Sequence, residues 1–402
     1  MSMPSPVTSE LKAWLPSRPF SVVAGSRVSC PAQPHCRSFA AFSEGRRSLN
    51  SKEQEDCACL PIFRLECAES ADCLPVLRGL TSELRSRDLH VAVAVLPGHH
   101  LAAFLPEAGV NPLSAAGCDL ISLVDGLMHL SHQSVAPDNT LEYLRDLCRI
   151  YDIILVAGET VFDLPVFRLQ QGISNEARLR EAGRLIHLLD CTADISLSAD
   201  SVVDLLGEIT TRVPVWACVL IGGRSSRMGR AKHLLDAPGG LTWLEKTVGI
   251  LQPFVERVVL SGSGQVPQSL QNLVRLPDIP GVAGPLTGIL SAMRWQPDVS
   301  WLLVACDMPS LSAEALNWLI HSRRPGSWGT VPRRSPASHV EPLLAHYDSR
   351  CRALFEHILT SGSRRIGDVA RHEKIATPVI PGQLIAAWDN INTPEELRLQ
   401  TL

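Results

Sequence analysis

Between Leu220 and Lys232 the chain reads Leu-Ile-Gly-Gly-Arg-Ser-Ser-Arg-Met-Gly-Arg-Ala-Lys, a stretch with the residue types that hold a phosphate. Gly222 and Gly223 carry no Cβ, so the backbone can turn sharply and bring N–H groups up to an anion. Arg224, Arg227, Arg230 and Lys232 add four positive charges within nine residues, with Gly229 among them. A surface turn with a solvated basic face would have a similar composition. Phosphate binding is favoured because a strand, two glycines and spaced cations coincide. The loop lacks the G-x-x-x-x-G-K-[ST] spacing of a Walker A motif.

Two carboxylates and a late asparagine pair add to this chemistry. Asp307 follows the apolar run 301–305, and an acid at the carboxyl end of a parallel strand is well placed for Mg²⁺, although Asp before Met308-Pro309 also suits a turn cap. Asp278 precedes Pro280-Gly281, and taken by itself it reads as a turn residue. Asn390-Ile391-Asn392-Thr393-Pro394-Glu395-Glu396-Leu397 contains a helix start, with Thr393 as cap and Pro394 in the first turn.

The elements that must position these groups follow from periodicity. Residues 213–220 form a short apolar run rich in β-branched residues, as in a buried parallel strand, and 241–254 have apolar residues at helical spacing. A strand is expected at 257–260 and another at 301–305. Earlier in the chain, strands are expected at 61–65, 90–96, 118–124 and 151–157, and helices at 74–86, 140–149, about 175–189 and 199–211. Strands alternating with helices predict an α/β fold of two parallel-sheet, three-layer domains. Residues 1–55 form an extension with little structure of its own, containing one candidate strand at 20–24; domains are expected over 56–212 and 213–402.

Quoted in full, Leu220 to Lys232, Pro277-Asp278-Ile279-Pro280-Gly281-Val282-Ala283-Gly284-Pro285-Leu286, Cys306-Asp307-Met308-Pro309 and Asn390 to Leu397 make the final 190 or so residues resemble the molybdenum cofactor guanylyltransferase family. The resemblance implies a Rossmann-like nucleotidyltransferase that moves GMP from GTP to molybdopterin with Mg²⁺. It implies GTP contacts from Leu220, Gly222, Gly223, Arg227, Gly229, Lys232, Ser261, Asp278, Gly284, Leu286 and Asp307, with catalysis carried by Arg227, Lys232 and Asp307. Asn390 and Asn392 would face the pterin substrate, and Asp307 with Asn392 the metal. Ile221 stands where the family usually has alanine, Ala231 where it has aspartate, and the loop Ser261 to Gly264 lacks an asparagine that often contacts guanine. A cytidylyltransferase on the same pterin is the nearest rival, against which Gly222-Gly223 and Gly284-Pro285-Leu286 speak. A non-catalytic cofactor carrier is the rival from another class.

The stretches Arg85 to Val95, Gly98-His99-His100, Ala116 to Asp119 and Asp152 to Gly158 are similar to the molybdopterin-guanine dinucleotide biosynthesis adaptor family, a P-loop GTPase, over residues 60–210. Where that family has its phosphate loop, this chain has Cys67-Ala68-Glu69-Ser70-Ala71-Asp72-Cys73-Leu74. Asp72 and Glu69 put negative charge where a triphosphate would lie, and Cys73 supplies no cation, so the fold is expected without its nucleotide. An adaptor-like half implies apo-molybdoenzymes or their chaperones as partners.

Composition bounds these readings. The chain has 402 residues with 45% hydrophobic and 19% charged, and a net charge of −4 argues against nucleic acid as the main partner. No apolar run reaches membrane-spanning length and the start lacks a signal-peptide layout, so a cytoplasmic protein is expected. Of twelve cysteines, six are early, at Cys30, Cys36, Cys57, Cys59, Cys67 and Cys73; only Cys57-x-Cys59 approaches paired-ligand spacing, so free thiols are expected there rather than a metal site.

Overall fold

The computed structural model describes residues 60–67, 73–95, 119–124, 127–130, 133–135, 140–157, 164–170, 178–181, 184–190, 195–221, 231–237, 239–393 and 395–396. The extension with its candidate strand at 20–24, Cys30, Cys36, Cys57 and Cys59, residues 68–72 of the altered phosphate loop, and the glycine-basic loop 222–230 lie outside these residues. The chain divides into two units between Arg212 and Val213.

The first unit is built on β1 (Ile62–Cys67), β2 (Val91–Val95), β3 (Asp119–Val124), β4 (Leu127–Leu130), β5 (Gln133–Val135), β6 (Ile153–Ala157), β7 (Val166–Gln170), β8 (Arg178–Glu181) and β9 (Arg184–Asp190). They form one sheet in the order β5-β4-β3-β2-β6-β1-β7-β9-β8. The strands from β3 to β9 in that order run parallel, while β4, β5 and β8 close the two edges antiparallel. Every residue of β2 and β6 is buried, because helices cover both faces. On one face α1 (Cys73–Ser86) and α3 (Ile195–Arg212) bring Leu77, Leu80, Leu84, Val202, Leu205 and Ile209 against Phe63, Leu65, Val93 and Leu155. On the other, α2 (Thr140–Leu147) packs Leu144 and Leu147 on Ile62, Ala92, Ile154 and Val156.

The helix expected at about 175–189 is instead the hairpin β8–β9, with Glu181 opposite Arg184 and Ala182-Gly183 between them. Ala, Glu, Arg and Leu give this segment high helix propensity, but pairing with β7 and burial of Ile186 and Leu188 beside Val166 outweigh it. Strand β7 itself carries no strong sequence signal.

The second unit has a seven-stranded sheet in the order β12-β11-β10-β13-β15-β14-β16. Its strands are β10 (Val215–Leu220), β11 (Arg257–Ser261), β12 (Val274–Leu276), β13 (Ser300–Ala305), β14 (Gly329–Thr330), β15 (Ala345–Tyr347) and β16 (Ile375–Ala376). The first four are mutually parallel, and β15 turns back antiparallel on β13. Along β10, Ala217 and Val219 face α4 (Trp243–Leu251) and α6 (Ala313–His321), whereas Cys218 faces α5 (Pro285–Trp295) and α7 (Cys351–Thr360). The alternation is that of a strand buried on both sides. A capping box between Thr242 and Glu245 fixes the start of α4. Among the described residues no helix is long and apolar enough to cross a membrane.

Candidate active site

In the second unit the chain leaves β10 for β11 and β12 on one side, then returns to β13 on the other, so the strand order reverses between β10 and β13. Ligands of open α/β sheets collect at the carboxyl ends of strands at such a point. Leu220 is in register with Ser261 on one side and Ala305 on the other, and Ser261 with Leu276. The loops carrying Lys232, Asp278 and Asp307 therefore open at one edge of the sheet.

Three of the sequence-predicted residues meet there. Lys232 Nζ donates to Asp307 Oδ2 at 2.9 Å and to Asn392 Oδ1 at 2.8 Å. The Lys232 and Asp307 side chains are 16% and 19% exposed, so the pair is shielded but within reach of a ligand. Each member is held by its own element. Lys232 opens a single 3₁₀ turn, Lys232–Leu234, whose next residue His233 is buried and donates from Nε2 to the Gln265 carbonyl at 2.8 Å. Gly264 permits that approach: a Cβ there would lie 3.1 Å from His233 Cε1.

Asp307 follows the wholly buried β13. The Cys306 N–H donates to the Leu220 carbonyl at 3.3 Å, and the Lys246 ammonium to that of Pro309 at 2.7 Å, which secures both ends of the turn. Burial, with a smaller contribution from Asp307, raises the Cys306 thiol to about 12, so it stays protonated. Asn392 arrives from the far end of the chain. Ile391 before it donates its N–H to the Asp307 carbonyl at 3.0 Å and packs against Leu235, Ala237 and Trp243, just downstream of Lys232. The Asn392 N–H is taken by Glu396 and the Glu396 N–H by Thr393, so the expected cap forms.

The remaining predicted residues take different positions. Asp278 is exposed after β12. Gly284 caps α5 at φ 77° with Pro285 after it, a conformation that requires glycine. Ser261 and Leu286 are both only 2% exposed. Leu220 is half-buried over α5, and Asn390 is exposed. Gly222, Gly223, Arg227 and Gly229 lie outside the described residues.

Two residues escaped the sequence reading. A Cβ on Gly288 would stand 2.5 Å from Leu220 Cδ2 and 2.9 Å from Ser261 Oγ, so this glycine lets α5 approach the strand ends. An isolated glycine inside a helical pattern was the available signal. Arg334, which reaches Glu341, Asp389 and the Trp388 carbonyl, had none, because its partners lie up to 55 positions away.

Residues 217–375 match the MobA-like NTP transferase domain. The chain is 35% identical over 199 residues to the molybdenum cofactor guanylyltransferase of Rhizobium meliloti, covering 45% of this chain and 88% of that one. It is 29% identical over 184 residues to a probable molybdenum cofactor guanylyltransferase of Pelotomaculum thermopropionicum, covering 44% of this chain and 88% of the relative. A molybdenum cofactor biosynthesis bifunctional protein of Synechocystis is 28% identical over 202 residues, which are 50% of this chain and 53% of that protein. The crystal structure of molybdopterin-guanine dinucleotide biosynthesis protein A from Archaeoglobus fulgidus overlays with a TM-score of 0.39 at 24% identity, over 46% of this chain and 95% of that one. Through its second half, this chain belongs to the molybdenum cofactor guanylyltransferase family, and it is a nucleotidyltransferase.

Proposed function

We propose that the second half transfers GMP from GTP to the terminal phosphate of molybdopterin, releasing pyrophosphate and forming the guanine dinucleotide cofactor. The observation that carries this reading is the meeting of Lys232, Asp307 and Asn392 at the switch point of the sheet, in a chain of this family. A pterin phosphate oxygen attacks the α-phosphorus of GTP, the bond to the bridging oxygen breaks, and its electron pair leaves with pyrophosphate. The attacking group is already an anion, so no general base is needed, and the protein's task is alignment and charge stabilisation. We assign Lys232, Arg227 and the Gly222 and Gly223 N–H groups to the β- and γ-phosphates. Asp278 is the group we assign to the N1–H and N2–H pair of guanine, which cytosine lacks.

The site suits Mg²⁺ on the chemistry of its donors. The Asp307 carboxylate and Asn392 amide oxygen already converge on one cation, the Lys232 ammonium. Oxygens of this kind, completed by nucleotide phosphates, are what Mg²⁺ prefers. Asp307 and Asn392 would hold the ion, which when bound neutralises charge on the triphosphate. The described residues contain no cluster of three or more His, Cys, Asp or Glu that would hold a metal without the nucleotide.

We read the first half as an adaptor-like domain that has lost its nucleotide, with a role in handing the cofactor to apo-molybdoenzymes or their chaperones. In support, β1 ends at Cys67 and α1 begins at Cys73, so in sequence the altered phosphate-loop residues fall between a strand and a helix. GTP titrated into the full chain should then fill one site; a second tight site would refute this part of the reading. For the second half, pyrophosphate release is measured with GTP, CTP, ATP and UTP, with and without molybdopterin. Release should require GTP and the pterin together. Release with CTP would favour the cytidylyl reading, and none with any nucleotide the carrier reading.

A further inference from the structure

We infer that Arg334 is a positioning residue that sets Asn392, and through it Lys232, for the acceptor side of the reaction; this rests on the guanylyl-transfer reading above. One guanidinium spans two loops. Its Nε donates to Glu341 Oε1 at 2.6 Å, Nη1 to Asp389 Oδ1 at 2.6 Å, and Nη2 to the Trp388 carbonyl at 2.7 Å. Glu341 closes a hairpin loop that begins at Arg333, with Arg333 bridged to Val340 and the Glu341 N–H on the Pro332 carbonyl. Trp388 and Asp389 begin the segment that ends in Asn392.

Topology puts this fork beside the reaction. Because β15 runs antiparallel to β13, residues just before Ala345 stand at the carboxyl end of β13, where Asp307 is. Residues after Thr330 and after Ala376 emerge at that same end, since β14 is antiparallel to β15 and parallel to β16. The base-facing Asp278 lies across the sheet beyond β11, so the Arg334 network occupies the opposite flank of the Lys232 cluster. Between Trp388 and Asn392 the chain is pinned at both ends: Trp388 is wholly buried with its Nε1–H on the Leu344 carbonyl, and the Ile391 N–H is on the Asp307 carbonyl. Arg334 grips the first two residues of that short span, so the angle at which it delivers Asn392 depends on the fork.

A purely stabilising role fits the exposures less well. The Arg334, Glu341 and Asp389 side chains are 35%, 24% and 49% exposed, a setting in which ion pairs add little to folding. The planar fork fixes geometry, and a lysine, with a point charge on a flexible stem, cannot reproduce it.

The test is Arg334→Lys, with Arg334→Gln as a second variant and Arg294→Lys, which loosens the similar Arg294–Glu356 pair between α5 and α7, as control. Amide exchange of the full chain without substrates should speed up about tenfold at Ile391 in both Arg334 variants and stay unchanged in the control. In turnover, kcat should fall about tenfold and the KM for molybdopterin rise, with the KM for GTP unchanged. In an Asn392→Ala background, Arg334→Lys should add no further loss. Unchanged exchange at Ile391, or losses that multiply with Asn392→Ala, would overturn the inference. If the wild-type protein transfers no GMP, the functional reading fails by itself, and exchange at Ile391 still decides the positioning claim.

Discussion

Removing either end of the Lys232–Asp307 pair should damage chemistry far more than folding. The two side chains are 16% and 19% exposed, between a surface pair, worth about 0–1 kcal/mol, and a fully buried one, whose breakage costs about 3–5 kcal/mol. Asp307→Asn keeps shape and hydrogen bonding, and Lys232 retains Asn392 as a partner, so its cost to stability should be roughly 1 kcal/mol. Lys232→Ala leaves a shielded carboxylate without its cation and should cost roughly 1–3 kcal/mol. In turnover each variant should lose about 10²–10³-fold, the usual effect of deleting one charge-stabilising group. If both act on one metal–triphosphate unit, the double variant should be far less impaired than the product of the singles, because groups that act together are not additive. GMP transfer at saturating Mg²⁺, with melting followed in parallel, reads both quantities. Well-folded variants that keep most of their activity, or losses that multiply fully, would refute the shared role.

Three further outcomes are expected. His346 is buried on β15, and burial, with the Arg323 charge, lowers it to about 3; the unfolded chain gains a proton near the ordinary 6.5 that the folded one refuses until about 3, so stability is full above that ordinary value and falls by about 1.4 kcal/mol per pH unit below it. His346→Leu should flatten this acid slope in urea unfolding, and parallel pH curves for the two proteins would contradict the assignment. Gly288→Ala should cost roughly 1–3 kcal/mol by overpacking against Leu220 and Ser261 and should weaken GTP binding, as calorimetry would detect; a neutral effect would mean that α5 moves back freely. Ala231 stands at the cap of the Lys232 turn with no side-chain hydrogen bond, so Ala231→Asp should raise the melting temperature and leave turnover equal or higher, whereas a tenfold fall would mean that the loop has adapted to alanine.

Local patterns made much of this legible. The apolar runs that became β2, β6, β10 and β13 are buried on both faces, and such strands announce themselves by composition alone. Asp307, Lys232 and Asn392 could all be named because their motifs carry the family resemblance; what the sequence did not show is how Asn392 is brought to Lys232 across 160 positions, by packing of Ile391 on Leu235 and Trp243. The hairpin at 178–190 was hidden because its residues favour a helix until β7 offers a partner strand. Short strands β14 and β16, two residues each, have too little length to show a period. Arg334 illustrates the limit most plainly: an arginine in a polar loop reads as solvated, and only the fold brings Asp389 and Glu341 to it.

The most direct test of guanylyl transfer is to follow GTP labelled at its α-phosphorus in a single turnover with molybdopterin. The label should pass into a pterin dinucleotide while unlabelled pyrophosphate is released in equal amount, and Asp307→Asn should slow the transfer about 10²–10³-fold without preventing GTP from binding. Label that stays in GTP with the pterin bound, or a dinucleotide that forms only from labelled CTP, would contradict the account.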